Sequence, residues 1–351
     1  MKNATPKTLA LAAVRKHLEV HGSFDGYPGI VVLHGLARLA AKTGDPALLG
    51  SARDSLMPFV RGERQFRNNF PNYLCGGNGA AYLFWQGHLP EVEASLRRYA
   101  VQIMEEAPRD PEGILCLPSH PEKNMIWIDV AFAVTPFLLF TGLAFDEPSY
   151  IEEAFQQTSK MVRVFQDPEN RLLHQTKNFT GQLPGNISED HWSRGNGWGI
   201  YALTELACQL PADHPHKTEA VRLYREQVQA CLEFQNSEGL WHQEMTEKES
   251  YVETSGSGLI LYAIGAGIEA GVLDASFREP FVRGLGGLLA YISGDLDIYH
   301  TCRSCLCPGL GTKLDYMATP PKLNDHHAFG PVVLAMGQAH LLGINQIERA
   351  R

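Results

Sequence analysis

The sequence predicts an all-α protein, an (α/α)6 barrel of six helical hairpins, and three observations lead there. Helical periodicity accounts for nearly the whole chain, and strand alternation for almost none of it. The candidate helices alternate between charged, amphipathic stretches and apolar ones rich in small residues. A short motif, Pro111-Glu-Gly-Ile-Leu, returns as Pro168-Glu-Asn-Arg-Leu-Leu-His, Ser237-Glu-Gly-Leu-Trp-His and Gly294-Asp-Leu-Asp-Ile-Tyr-His, at spacings of about 55 to 70 residues. Six hairpins in 351 residues give a period near 58. Weak self-similarity once per hairpin is what a repeat architecture leaves in sequence.

Twelve helices are expected, near 5–20, 27–43, 46–60, 74–87, 90–106, 126–143, 147–166, 196–210, 215–234, 254–271, 276–293 and 326–343. The odd-numbered ones carry the charge: Arg15, Lys16 and Glu19 in the first, Glu152, Glu153, Lys160 and Arg163 in the seventh. The even-numbered ones are apolar all round, as in Gly29-Ile-Val-Val-Leu-His-Gly-Leu-Ala, Gly258-Leu-Ile-Leu-Tyr-Ala-Ile-Gly-Ala and Gly330-Pro-Val-Val-Leu-Ala-Met-Gly. A helix apolar on every face is buried on every face, whereas an amphipathic one borders solvent. Strict alternation therefore implies an inner and an outer ring. No linker composition interrupts the pattern, so residues 1–351 are expected to form a single domain. The long connections, near 107–125, 167–195, 235–253 and 294–325, precede inner helices and hold much of the His and Trp, which makes them the expected carriers of function.

Composition narrows the function. Hydrophobic content of 44% with 20% charged residues is ordinary for a soluble globular chain. A net charge of −9 excludes the basic surface that nucleic acid requires. It also means that any site for an acid must gather positive charge locally. No run approaches the length of a membrane span. Leu9 to Val14, broken by Arg15 and Lys16, is too short for a secretory core. Seven cysteines without a framework spacing fit reduced thiols and a cytoplasmic protein.

One stretch concentrates unusual side chains: Asp190-His-Trp-Ser-Arg-Gly-Asn-Gly-Trp198, leading into an apolar helix. Indole faces stack on sugar rings, a guanidinium pairs with a carboxylate in a bidentate fork, and glycines let backbone approach a ligand. The stretch reads as the rim of a pocket for a flat, polar anion; the alternative is that Trp192 and Trp198 anchor the core and Arg194 opens a helix. Asp129 is the sharpest catalytic candidate. It begins the sixth helix and is the only charge between Lys123 and Asp146. A carboxyl desolvated among Trp127, Phe132 and Phe137 has its pKa raised toward neutrality, where it can both give and take a proton. The structural alternative is an N-terminal-turn aspartate that only meets free amides. A glycosidase of the usual kind needs a second carboxylate across the bond. Glu205 and Glu269 lie too deep along their helices, and Glu253 and Asp325 lack a sugar-like aromatic setting. Chemistry run by one acid/base residue is the better fit.

The histidines His120, His174, His191, His242, His300, His326 and His327 all fall on loops or where inner helices begin. No short-spaced histidine pattern marks a metal site, and no metal or other cofactor is expected. His300, Cys302, Cys305 and Cys307 are four soft ligands, but too tightly spaced for an ordinary tetrahedral zinc centre. No phosphate loop, serine elbow or dinucleotide fingerprint is present.

The motif Trp-x-Arg-Gly-Asn-Gly-Trp, with Trp127-Ile-Asp129, resembles glycoside hydrolase family 105, the unsaturated rhamnogalacturonyl hydrolases, and the related family 88 of unsaturated glucuronyl hydrolases. Tyr27-x-Gly29, Leu172-Leu-His174, Glu253-Thr-Ser-Gly-Ser257, a Cys-x-Gly-x-Gly-Thr loop ending at Thr312 and Asn324-Asp-His-His extend the resemblance along most of the chain. It implies an (α/α)6 barrel acting on oligosaccharides that carry a 4,5-unsaturated uronic acid at the non-reducing end, the product of a polysaccharide lyase. Asp129 would protonate C4 of the vinyl ether and help water add at C5, after which the hemiketal collapses. The resemblance also implies binding roles for Tyr27, His120, Lys123, His174, His191, Trp192, Arg194 and Trp198, with Arg194 as counter-charge to the uronate. Family members usually carry a second aspartate ahead of the fourth helix. Asn72 is the nearest match here, and an amide can hold a hydroxyl but supplies no charge. The competing expectations are a non-catalytic saccharide-binding barrel, an (α/α)6 epimerase working through histidine pairs, and a zinc-dependent barrel cyclase.

Overall fold

The computed structural model describes residues 5–64, 70–119, 123–179, 187–303 and 312–350. Six helices form the inner ring: α2 (Tyr27–Thr43), α4 (Gly77–Trp85), α6 (Asp129–Phe145), α8 (Ser193–Gln209), α10 (Thr254–Glu269) and α13 (Phe329–Leu341). Each packs on the next and α13 returns to α2, which closes the ring. The outer ring is α1 (Pro6–His21), α3 (Pro46–Val60), α5 (Glu93–Glu105), α7 (Pro148–Phe165), α9 (Lys217–Glu233) and α11 (Arg278–Ala290). The inner helices are buried nearly along their whole length, while the outer ones bury one face. The (α/α)6 barrel expected from the alternation is present, with its apolar inner and amphipathic outer rings.

Glycines let the inner helices approach. A methyl group on Gly256 of α10 would lie 2.4 Å from the Ser193 carbonyl carbon at the start of α8. Pro136, inside α6, has no N–H to offer the Phe132 carbonyl one turn back. Asn78 of α4 takes over that bond, donating Nδ2 to Phe132 at 3.1 Å, and Asn72 donates Nδ2 to the Ala133 carbonyl at 2.8 Å. At depth, Arg38 pairs with Glu205 at 3.2 Å and lies 3.9 Å from Glu269, while Tyr262 donates its hydroxyl to Glu205.

The recurring motif has the same physical cause in each of its four occurrences. A side chain just after the outer helix accepts from backbone amides further along and folds the chain back on itself. Asp110 Oδ1 receives Glu112 and Ile114, Asp167 Oδ1 receives Glu169, Asn236 Oδ1 receives Glu238 and Leu240, and Ser293 Oγ receives Asp295 and Asp297. Such side-chain turns favour Asp, Asn and Ser.

Several boundaries move. The fourth helix begins at Gly77, not near 74, because residues 71–75 form a 3₁₀ turn and Gly76 and Gly77 take φ of 93° and 57°. The sixth begins at Asp129 because residues 126 and 127 pair as a strand. Three two-stranded antiparallel ladders form, all in connections expected to be loops except β1, which replaces the expected first turn of the sixth helix: β1 (Ile126–Trp127) with β2 (Thr176–Lys177), β3 (Trp241–His242) with β4 (Val252–Glu253), and β5 (Thr301–Cys302) with β6 (Pro321–Lys322). Two residues are too few for alternation to register. A short helix, α12 (Lys313–Met317), lies within the last connection and is capped by Thr312, which accepts from the Asp315 amide.

Candidate active site

The amino-terminal ends of the inner helices meet at one end of the barrel. Tyr27 is the first residue of α2 and Asp129 the first of α6, Arg194 and Trp198 lie in the first turns of α8, and His327 precedes α13. Helix amino-termini carry partial positive charge, and those of α2, α6, α8 and α13 gather it where a chain of net charge −9 needs it.

Asp129 sits in a cavity of about 160 Å³ walled by Tyr27, Phe70, Tyr73, Trp127 and Phe132. Its Oδ2 is sealed from solvent and has no hydrogen-bond partner among the described residues. Burial pushes the carboxyl up to about 6, against the opposing pull of the Arg194 charge. The other buried acids considered as partners are engaged elsewhere. Glu205 is held by Arg38 and Tyr262. Glu253 caps α10, accepting from the Ser255, Gly256 and Cys302 amides and from Ser193 Oγ. Asp325 accepts from His327 Nδ1 at 2.6 Å.

That last bond belongs to a chain reaching the cavity. The His327 Nε2 meets the Tyr27 hydroxyl, and Asp325 fixes the ring from the far side. Burial, then the charge of Arg194, lowers His327 to about 4. Burial alone would raise Asp325, but the bond from His327 holds it at about 2. At neutral pH the ring is therefore neutral, donates Nδ1–H to an ionised Asp325 and accepts the Tyr27 proton at Nε2. The sequence showed Tyr27 and His327 300 positions apart and gave no sign that they touch.

Arg194 is fully buried. It donates Nη1 to Ser255 Oγ at 3.1 Å and to the Cys302 carbonyl at 2.7 Å, and its guanidinium lies 4.5 Å from the centre of the Trp192 ring. Among the described residues it has no carboxylate at ion-pair distance, and the charge of Glu253 acts on it from further off. Trp192 and Trp198 are each 1% exposed. Trp198 stacks on Phe132 at 4.4 Å and meets Tyr27 edge-on, so it supports the wall from behind, while Trp192 packs against Arg194 and Tyr316. The aromatic wall of the cavity comes instead from Tyr27, Phe70, Tyr73, Trp127 and Phe132, of which Tyr27 alone is partly exposed. The short run Phe70-Pro-Asn-Tyr73, two aromatics ahead of a small-residue helix, was the available signal for this wall.

Asn72 is wholly buried, is spent on Ala133 and does not line the cavity. Lys123 is exposed on the turn ahead of β1. His120, Cys305 and Cys307 lie outside the described residues, as does most of the loop ending at Thr312. His174 and His191 are placed together, with ring centres 4.6 Å apart, and both approach Asp167 rather than Asp129. Among the described residues, no helix is long and apolar enough to cross a membrane.

Comparison with known proteins gives a consistent picture. The sequence model of Glycosyl Hydrolase Family 88 matches residues 1–342. The chain is 30% identical over 165 residues, 45% of its length and 44% of the relative's, to an unsaturated 3S-rhamnoglycuronyl hydrolase of Formosa agariphila. It is 26% identical over 178 residues, half of each chain, to the unsaturated rhamnogalacturonyl hydrolase YesR of Bacillus subtilis. The chain thus spans about half the length of the curated relatives it matches. Among solved structures, a C. acetobutylicum glycoside hydrolase from family 105 superposes with a TM-score of 0.81 at 21% identity, covering 95% of this chain and 99% of that one. The unsaturated glucuronyl hydrolase of Bacillus sp. GL1 gives 0.66 at 17%, covering 99% of both. At these identities the structures speak to the fold alone.

Proposed function

This chain belongs to Glycosyl Hydrolase Family 88, and from that premise we propose that it removes a 4,5-unsaturated uronic acid from the non-reducing end of an oligosaccharide by hydrating the vinyl ether. The observation that carries the proposal is Asp129: one unpaired carboxyl, raised to about 6, in an aromatic-walled cavity at the mouth of the barrel. A carboxyl near neutrality supplies a proton and, once ionised, takes one back. Asp129 donates its proton to C4, and positive charge develops over C5 and the ring oxygen. Water adds at C5 and gives its proton to the Asp129 carboxylate, restoring the acid. The hemiketal then opens to a C5 ketone and a C1 hemiacetal, and collapse of that hemiacetal to an aldehyde releases the leaving sugar as an alcohol. The anomeric carbon is never attacked, so no second carboxylate is required.

Arg194, with the converging helix ends, supplies the positive field for the uronate carboxylate. Tyr27, Tyr73 and Trp127 present ring faces and edges to the sugar. The activities for which the two relatives are named support the substrate class, and a polysaccharide lyase is the kind of enzyme that generates such ends. The test is loss of the ultraviolet absorbance of the unsaturated uronate with lyase-generated disaccharides, wild type against Asp129→Asn. Bleaching by the wild type that the variant loses supports the reading. Binding of the disaccharide with no bleaching, across pectic and glycosaminoglycan products, would replace it with a binding barrel.

A further inference from the structure

Beside the cavity, three side chains from the connection between α7 and α8 converge. Asp167 follows α7, His174 closes the turn that Asp167 starts, and His191 precedes α8. His191 Nε2 lies 2.9 Å from Asp167 Oδ2 and His174 Nε2 lies 3.7 Å from the same oxygen. One ligand atom from each falls within 4.8 Å of the others. We propose that these three residues bind a divalent transition-metal ion of the zinc class, with at least one coordination position left open.

The geometry and the charge both favour a cation. Zinc holds imidazole nitrogens and carboxylate oxygens at about 2.0–2.2 Å, which sets tetrahedral ligand atoms roughly 3.3 Å apart. The observed separations bracket that value, so small side-chain rotations complete the site. Two imidazole lone pairs and a carboxylate oxygen aimed at one point repel unless a proton or a cation lies between them. Histidine ligands to a metal are commonly oriented by a carboxylate on the other ring nitrogen. Glu244 stands on that side of His191 without bonding the ring: its Oε1 is 3.4 Å from Nδ1, and its Oε2 accepts the His191 amide at 2.6 Å. Asp190 and Glu244 are both buried beside the cluster, and the cation nearest to Glu244 outside it, Lys313, is 3.8 Å away. Asp167 and Glu244 thus bring two carboxylates to the two imidazoles. Asp167 and His174 are only half-buried, which leaves a route in for the ion and room for water on it. Two imidazoles with one carboxylate select borderline metals over magnesium or calcium.

The ion would tie the turn after α7 to the segment that delivers Trp192 and Arg194. It would also brace the stretch in which the Gln175 carbonyl accepts the Ile128 amide at 3.0 Å, next to Asp129. A scan for short-spaced histidines misses the site, because its ligands are separated by six and sixteen residues.

The test uses the full chain, stripped with a chelator and titrated with Zn2+ by calorimetry, with metal content measured after dialysis. One zinc per chain is expected. His174→Ala and Asp167→Asn should each weaken it about 100-fold or more. The asparagine variant keeps the turn, since Oδ1 still receives Glu169, and so guards against an unfolded alanine variant. Zinc should raise the Tm of the wild type and leave that of the variants unmoved, and Co2+ in place of zinc should give a visible spectrum of a low-symmetry site. Cys305→Ser/Cys307→Ser should bind as the wild type does. Absence of stoichiometric zinc would overturn the proposal. So would zinc retained by both ligand variants, or zinc lost only when the two cysteines are replaced.

Discussion

Asp129→Asn separates the chemistry of one carboxyl from its effect on the fold, and the size of both effects follows from its surroundings. Burial raises the folded carboxyl from 3.8 to about 6, so the native state holds the proton more tightly than the unfolded chain does. Stability from this group is therefore fully present below the unfolded value and is lost as pH rises through about 6. The full swing is roughly two pKa units, or about 3 kcal/mol, of which about 1.4 kcal/mol falls between pH 5 and pH 7.5. An amide does not titrate. Urea unfolding of the two proteins across that range should show the variant gaining about 1.4 kcal/mol on the wild type as pH rises. On the same scale, wild-type kcat/KM should fall about tenfold per unit above roughly pH 6, and the variant should lose about 10²–10⁴ in rate. A stability difference that stays flat with pH, or a rate profile with no break in this range, would refute the account of Asp129.

The remaining predictions address its supports. Asn72→Asp should destabilise the fold by about 1–3 kcal/mol by urea denaturation, because the buried Ala133 carbonyl loses its donor. Arg194→Lys should raise KM for an unsaturated uronide about tenfold with less change in kcat, since an ammonium cannot reproduce the guanidinium fork over Trp192. Tyr27→Phe and Asp325→Asn should lower kcat/KM by similar factors, each about tenfold, and the double variant should lose no more, as for groups acting in one hydrogen-bonded chain. Gly256→Ala should cost about 1–3 kcal/mol in thermal or urea unfolding, because the added methyl overlaps the Ser193 backbone.

The barrel was legible because burial on all sides leaves a compositional trace. A helix such as Val130–Leu143 cannot face water anywhere, and six of these alternating with charged helices admit few arrangements besides two rings. The repeated turn was legible for a similar reason: Asp110, Asp167, Asn236 and Ser293 do one local job that few residue types can do. The ladders were not, because two-residue strands are selected by pairing across distance and not by any period of their own. The boundary at Gly77 depended on two consecutive left-handed residues, which composition does not reveal.

The site divided along the same line. Asp129 could be found from sequence because desolvation by flanking aromatics is a local property. The roles of Trp192 and Trp198 could not, since the same indole serves a sugar or a core according to which side of the ring wall it occupies. The placement of charge depends still more on the closed ring. Nothing local tells an acidic chain where it can hold an anion, yet the closed ring sets the amino-termini of α2 and α6 at the cavity and buries Arg194 close enough to act on Asp129, with no carboxylate at ion-pair distance from it among the described residues. That arrangement also explains why Asp129 settles near 6 and no higher. Burial drives the carboxyl toward the neutral form, and the same arginine that would greet a uronate pulls it back. Once an anionic substrate occupies the site and takes up that charge, the pull on Asp129 weakens and its proton is held more firmly. The acid is thus best protonated when there is a vinyl ether to receive the proton. The pH limb of kcat should accordingly lie above that of kcat/KM, and a coincident or inverted pair of limbs would show that Arg194 does not couple the two sites.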